Sequence, residues 1–209
     1  MPDIKKLISD LQRLYPDAKY ELDFQSPFQL LIATVLAAQC TDERVNRVTP
    51  TLFQRYPDPE AFVAASPEEL EAALQPTGFF RQKARTVKAI CQALIERFGG
   101  QVPARLEDLL TLPGVARKTA NVVLTTAFQI PSGIVVDTHV SRVSRRMGLV
   151  DCAETASAEK IEAELMRKVP KDKWCSFGPA LVLHGRYTCT ARKPDCAGCA
   201  LRERCEQKL

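Results

Sequence analysis

The chain has 209 residues, 45% hydrophobic and 26% charged, a composition typical of a globular protein with one large domain or two small ones. Its two longest stretches without a charge, 24–41 and 119–136, are interrupted by polar residues or proline, so neither supplies the roughly 20 mostly apolar residues of a membrane span. Charged residues stand where a signal peptide would have its apolar core, so we expect a cytoplasmic protein.

Helical patterns account for most of the chain, and we find no clear strand pattern of period two. An opening amphipathic helix is marked by Leu7, Leu11 and Leu14, and further helices are predicted at 28–39, 67–74, 79–98, 106–112, 117–128, 138–147, 158–169 and 174–187. Ser66 begins a capping box with proline at the first helical position. The sequence therefore predicts an all-α fold of roughly ten helices. The segment 130–133 is the most plausible domain boundary.

The net charge of +4 is unevenly distributed along the chain. The segment 78–89 holds Arg81, Lys83, Arg85 and Lys88 without an acid, and 109–150 holds five bases against one carboxylate, Asp137. Charge runs are usually solvated helix faces. Two basic segments favour instead a surface that binds a polyanion such as nucleic acid, with these bases neutralising phosphates.

The segment 112–120 reads Leu-Pro-Gly-Val-Ala-Arg-Lys-Thr-Ala between two predicted helices. Pro113 fixes one backbone angle and Gly114 permits a positive φ, so the chain can reverse tightly. The following helix then begins with free backbone N–H groups beside Arg117 and Lys118, which suits a phosphate. An ordinary helix–turn–helix corner is the alternative.

Asp137 is the only acid of the second basic segment, and it is predicted to cap the helix 138–147. A carboxylate in cationic surroundings should stay ionised, and could stabilise a developing positive charge or assist proton transfer. Nearby His139, taken alone, is typical of a packing or hydrogen-bonding residue.

The eight cysteines fall into two groups. Cys40, Cys91, Cys152 and Cys175 are scattered and are interpreted as core residues or inert thiols, whereas the other four are Cys189, Cys196, Cys199 and Cys205. Their Cys-x6-Cys-x2-Cys-x5-Cys spacing predicts a metal site, either structural zinc or an iron–sulfur cluster. Arg192 and Lys193 lie in the first loop of this motif, where they could contact a phosphate backbone.

The hairpin at 112–120, the Val-Asp-Thr-His segment at 136–139 and the cysteine motif occur in this order, and together they closely resemble the endonuclease III family. The resemblance extends to Ala-Gln-Cys-Thr-Asp at 38–42, Thr-Gly-Phe-Phe at 77–80 and the segment 183–189. It implies two helical domains: a helical barrel at 22–130, and a discontinuous domain of 1–21 and 131–209 carrying a 4Fe–4S cluster on the four clustered cysteines.

Matched by motif, the resemblance implies that Lys118 is the catalytic nucleophile and Asp137 the essential carboxylate. It also implies that Gln39 fills the gap left by a flipped nucleotide and that Phe79 wedges into the base stack. Further DNA contacts are expected at Gly114, Ala116, Arg117, His139, Arg192 and Lys193. The expected partner is double-stranded DNA containing damaged pyrimidines or abasic sites, bound by a monomer associated with the nucleoid.

Two positions depart from the family pattern. Ala116 replaces the second glycine of the hairpin, and its methyl group should crowd the approaching phosphate. Ala37 stands where serine is frequent near the flipped base, which leaves the lesion preference open.

The leading hypothesis is a bifunctional glycosylase that removes oxidised pyrimidines and cleaves the abasic site by β-elimination through a lysine Schiff base. The alternatives are a monofunctional mismatch glycosylase of the same fold and a non-catalytic DNA-binding module. An electron carrier is a weaker hypothesis, since ferredoxin-like spacing is absent.

Overall fold

A computed structural model describes residues 3–153 and 155–207, and every regular element in these ranges is helical. The all-α prediction is confirmed. The α-helices are α1 Ile4–Leu14, α2 Pro27–Leu36, α3 Asp42–Arg55, α4 Pro59–Ala64, α5 Pro67–Leu74, α6 Phe80–Phe98, α7 Leu106–Leu109, α8 Arg117–Ala127, α9 Thr138–Arg146, α10 Ala158–Lys168 and α11 Trp174–Tyr187. Short 3-10 turns occur at Gln75–Thr77, Lys171–Lys173 and Arg202–Arg204.

The chain divides into two compact units, one continuous and one discontinuous. The continuous unit is Glu21–Phe128, and the discontinuous unit joins Met1–Tyr20 to Gln129–Leu209. The hairpin segment therefore belongs to the first unit, and the four clustered cysteines belong to the second.

Helix α2 is the centre of the continuous unit. Its residues Leu30, Leu31, Ile32 and Leu36 are fully buried, which agrees with the nearly uniform apolar character of its sequence. Helices α3, α6 and α8 pack against it, and α4 and α5 pack against α6. The hairpin before α8 is thereby held on a rigid core.

The core of the discontinuous unit is built where α1 and α9 pack against α11. Gly185 of α11 allows this close approach, because a β-carbon at this position would lie 2.9 Å from His139 Cβ and 3.1 Å from Val143 Cγ2. Helix α9, which follows Asp137, is therefore seated directly on α11.

Several helix limits differ from the sequence-based prediction. Helix α2 ends at Leu36 rather than 39, and α7 ends at Leu109 rather than 112. Helices α3 and α4 were not predicted. Helix α3 contains an internal proline, Pro50, and most of its residues are polar, so the helical spacing of its buried residues is hard to see in the sequence. These buried residues are Val45, Thr49, Leu52 and Phe53.

Within residues 3–153 and 155–207, no helix has the length and apolar character needed to cross a membrane.

Candidate functional site

The hairpin between α7 and α8 turns tightly at Gly114. The Val115 N–H donates to the Leu112 carbonyl oxygen at 3.2 Å, and Gly114 has φ +71°. A β-carbon on Gly114 would lie 2.7 Å from Thr86 Cγ2 of α6, closer than real β-carbons approach such an atom. Both the backbone conformation and the packing against α6 therefore require glycine.

The first turn of α8 follows this hairpin directly. Ala116 stands at the N-cap in an extended conformation, with φ −84° and ψ 166°, which alanine adopts without strain. Its methyl group cannot accept a hydrogen bond from the backbone N–H groups of the turn, as a capping side chain would. The side chain of Lys118 is exposed in this turn. Open N–H groups and a lysine at a helix N-terminus suit a phosphodiester.

Gln39 and Phe79 have unusual backbone conformations. Both lie in the left-handed region, with φ +52° and +48°, although neither is glycine. Such a residue costs of order 1–3 kcal/mol and persists only where its surroundings enforce it. Phe79 is 66% exposed, which is unusual for a large apolar residue. Gln39, Phe79 and Gly114 line one cavity of about 310 Å³ in the continuous unit.

Lys83 lines the same cavity but is not a surface cation, because the residue is only 5% exposed. Its ammonium donates to the carbonyl oxygens of Leu36, at 2.8 Å, and Thr77, at 2.7 Å. Burial lowers the pKa of Lys83. Our expectation that Lys83 neutralises a DNA phosphate is therefore wrong.

Two other bases of this segment also have partners within the protein. Lys88 donates to the Ala65 carbonyl oxygen at 2.7 Å, and Arg81 lies 3.6 Å from the Glu71 carboxylate. Arg85 is exposed. Only part of the basic segment on α6 is thus free to meet a polyanion.

Asp137, in the discontinuous unit, caps α9 as predicted. Its Oδ1 accepts a 2.8 Å hydrogen bond from the Val140 N–H, and its backbone is extended. Burial raises the pKa of Tyr20, and the nearby Asp137 charge adds to this effect. Tyr20 is therefore a neighbour of the Asp137 carboxylate, and no motif in the sequence indicates this contact.

His139 lies one helical turn before Arg142, and its Nδ1 is 3.3 Å from the arginine Nη2. Arg142 also donates to the carbonyl oxygens of Gly185 and Cys189. The arginine thus ties the start of α9 to the beginning of the cysteine motif.

The four clustered cysteines line a single cavity, together with apolar Met147 and Leu201. All four are free thiols and partly buried. Burial raises the pKa values of Cys199 and Cys205, with smaller contributions from neighbouring cysteines. The motif therefore brings its thiols to one place.

Several polar groups face these sulfur atoms. Arg146 Nη1 is 3.6 Å from Cys189 Sγ, the Gln207 N–H is 3.3 Å from Cys205 Sγ, and His184 Nε2 is 3.8 Å from Cys199 Sγ. N–H groups near sulfur stabilise thiolates, the form that binds metals. Within the described ranges, no group of three or more His, Cys, Asp or Glu side chains is arranged to hold a single metal ion.

The loop between the first two cysteines of the motif presents Arg192 and Lys193 to solvent. It is anchored at both ends, since the Asp195 N–H donates to the Thr188 carbonyl oxygen and Arg146 donates to those of Thr190 and Ala191. Two cations are therefore displayed on a fixed loop.

Comparison with known proteins identifies the family. Residues 32–171 match the HhH-GPD superfamily of base excision DNA repair proteins. Endonuclease III of Synechocystis sp. is 52% identical over 93% of this chain and 88% of its own length, and that of Bacillus subtilis is 44% identical over 99% and 93%. A trapped endonuclease III–DNA covalent intermediate matches with a TM-score of 0.90 and 43% identity, covering 98% of this chain and 94% of the other.

The chain belongs to the endonuclease III family. This membership confirms the resemblance inferred from its motifs, and it identifies a base excision repair enzyme with DNA glycosylase and abasic-site lyase activity. The residues implied by the resemblance divide between the units: Gln39, Phe79, the hairpin and Lys118 lie in the continuous one, and Asp137, His139 and the cysteines in the discontinuous one.

Proposed function

We propose that this enzyme removes oxidised pyrimidines from double-stranded DNA and then cleaves the resulting abasic site by β-elimination. The observation that carries the proposal is that Lys118, which bears a primary amine, is an exposed residue in the first turn of α8 directly after the hairpin. A helix–hairpin–helix used only for binding needs backbone N–H groups and cations, but no nucleophile. Family membership adds the reaction class.

In the proposed reaction the neutral Lys118 amine attacks C1′ of a nucleotide flipped out of the helix. The N–C1′ bond forms while the C1′–base bond breaks, and the base leaves with the bonding electrons and a proton. Opening of the sugar gives a Schiff base, which acidifies the C2′ hydrogen. Loss of that proton drives the C2′–C3′ elimination that breaks the C3′–O bond, and the strand on the 3′ side leaves with its phosphate as a new 5′ end. Water then hydrolyses the unsaturated Schiff base and frees the lysine.

Asp137 is proposed to stabilise the positive charge that develops on the sugar as the base departs. The cap to Val140 uses Oδ1, so the remaining carboxylate oxygen can carry this role. One residue can thereby both begin α9 and serve catalysis.

Gln39 and Phe79 are proposed to stabilise the flipped state, by filling the vacated space and by wedging into the base stack. Their left-handed backbones and the exposure of the Phe79 ring support these roles. The proposed contacts to the DNA backbone and its surroundings are Gly114, Ala116, Arg117, His139, Arg192 and Lys193.

The four clustered cysteines are proposed to hold a 4Fe–4S cluster, which suits an all-thiolate donor set with N–H groups nearby. Bound there, the cluster would supply a covalent crosslink that holds the Arg192–Lys193 loop. We accordingly propose that 22–130 is the helical barrel domain and that 1–21 with 131–209 is the cluster domain. The proposed active form is a monomer, acting on chromosomal DNA at the nucleoid.

A panel of duplexes, each with one defined lesion, tests the proposed substrate class. Strand cleavage at oxidised pyrimidines, with little at undamaged or mismatched bases, is the expected result. Base removal from a thymine mismatch without strand cleavage would favour the monofunctional alternative. Binding without any incision of an abasic duplex would favour a non-catalytic module.

A further inference from the structure

Two helical segments end just before the two strained residues. Leu36 is the last residue of α2 and lies three positions before Gln39, and Thr77 ends the 3-10 turn Gln75–Thr77, two positions before Phe79. The carbonyl oxygens in the last turn of a helix receive no hydrogen bond from an N–H group of that helix, and the helix dipole makes this end negative. Each segment therefore offers a site for a cation.

One ammonium serves both segments. Lys83 Nζ donates to the Leu36 and Thr77 carbonyl oxygens at 2.8 and 2.7 Å, although the two residues are 41 positions apart in the chain. The backbone of α6 adds to this arrangement, since the Lys83 N–H donates to the Phe79 carbonyl oxygen at 3.0 Å. A single side chain therefore connects the two helical segments that lead into Gln39 and Phe79.

Burial of this lysine needs a reason. Both of these acceptors are neutral carbonyls, so they offset the loss of hydration of an ammonium less well than a carboxylate does. An apolar residue of similar size, such as methionine, would fill the space without that loss. The burial of Lys83 also keeps its ammonium away from any phosphate at the surface.

We propose that Lys83 is a positioning residue, which holds Gln39 and Phe79 in their left-handed turns as one preformed pair before DNA arrives. A pair ordered in advance loses little conformational entropy on inserting into the base stack. The inference rests on the proposed insertion of Gln39 and Phe79, and it adds the residue on which that insertion depends.

The chain offers a matched control in Lys88. Lys88 also lies on α6, is partly buried, and donates to a backbone carbonyl just after a helix end, Ala65 beyond α4. Neither strained turn adjoins it. A general contribution of a buried lysine to stability should therefore appear in both Lys83→Met and Lys88→Met, whereas the positioning effect should appear only in the first.

The test compares two substrates with the cluster-loaded enzyme: an abasic site within a paired duplex, and an abasic site in a one-nucleotide bulge that is already extrahelical. For each variant the rate of covalent trapping is measured on both, and the duplex-to-bulge ratio is the readout. Lys83→Met should lower this ratio by at least about tenfold, as a displaced positioning group does, while Lys88→Met keeps it within about twofold. Fluorescence of 2-aminopurine opposite an abasic analogue should report the same loss of insertion.

A folded Lys83→Met with the wild-type ratio and fluorescence would overturn the inference, and so would an equal fall of the ratio in Lys88→Met. If Lys83→Met does not fold, Lys83→Gln replaces it, because the shorter amide reaches at most one of the carbonyls. The ratio should then fall partway, and an unchanged ratio would overturn the inference.

The double variant Gln39→Ala/Phe79→Ala separates this inference from the proposed function. If that variant keeps the wild-type ratio, the insertion roles themselves are wrong. If the double variant has a lower duplex-to-bulge ratio than the wild type, adding Lys83→Met should lower the ratio no further. An additional loss would show that Lys83 acts on something other than the pair.

Discussion

The Asp137 carboxylate accepts a 2.8 Å hydrogen bond from the Val140 N–H, so the proposed catalytic carboxylate is also the N-cap of α9. Asparagine can accept the same bond through its side-chain oxygen, but it carries no charge. The two roles can therefore be separated by substitution.

Asp137→Asn should keep the fold and bind abasic DNA tightly, because the cap survives. Base removal should slow by roughly a hundred-fold to ten-thousand-fold, the range of a lost electrostatic or acid–base group. Single-turnover release of the damaged base measures this effect. A nearly normal rate would mean that capping is the only role of Asp137.

Asp137→Ala loses both the charge and the cap, and it provides the matched comparison. It should match the asparagine variant in rate but unfold more easily, by about 1 kcal/mol for the lost cap. Chemical denaturation of both variants measures the difference. Equal stability of the two variants would contradict a capping role for the side chain.

Salt dependence distinguishes the bases that face DNA from those that serve the fold. Each phosphate contact contributes about 0.9 to the slope of log K against log salt, so Lys193→Met should lower the slope by about that amount. Lys88→Met should leave the slope unchanged, since this ammonium is bonded to the Ala65 carbonyl oxygen. Equal slopes for the wild type and Lys193→Met would exclude Lys193 from the interface.

Gly114→Ala should destabilise the continuous unit through both strain and crowding. The positive φ costs about 1–2 kcal/mol for alanine, and the contact with Thr86 Cγ2 should add about 1–3 kcal/mol. Gly99→Ala is the control for strain alone, since φ there is +59° and no neighbouring atom lies within 4 Å of the added carbon. Thr86→Ser removes the crowding methyl group, and it should restore part of the stability of Gly114→Ala in thermal unfolding.

The cysteine site predicts a yellow-brown protein containing about four iron and four sulfide per chain. Cys199→Ser should lower the visible absorbance and the iron content, whereas Cys91→Ser should change neither. Cys91 is buried apart from the cavity, and burial raises its pKa to about 12, so it is a poor thiolate donor. Stoichiometric zinc without visible absorbance, in protein purified without oxygen, would contradict the cluster.

Local signals in the sequence predicted most helix starts. The Ser66 capping box forms with both of its hydrogen bonds, and Asp137 caps α9 as predicted. These interactions join residues within three or four positions, so the sequence alone is sufficient to detect them.

Long-range contacts were not predictable in this way. The basic segment 78–89 predicts that Lys83 lies at the surface, because only the fold brings the Leu36 and Thr77 carbonyl oxygens to its ammonium. The end of α2 depends similarly on tertiary contacts, because the apolar pattern continues to Ala38 although the helix stops at Leu36. The motifs predict the residues of the candidate site, but they give no sign of the contact between Lys83 and the Leu36 carbonyl oxygen, three positions before Gln39.

If Lys118 forms the Schiff base, borohydride should trap that intermediate on an abasic duplex. The wild-type enzyme should give a covalent protein–DNA complex. Lys118→Gln should give none and should cleave no strand, while it still binds the duplex through the hairpin and keeps its thermal stability. Full trapping by Lys118→Gln would rule out this lysine and place the nucleophile elsewhere in the chain.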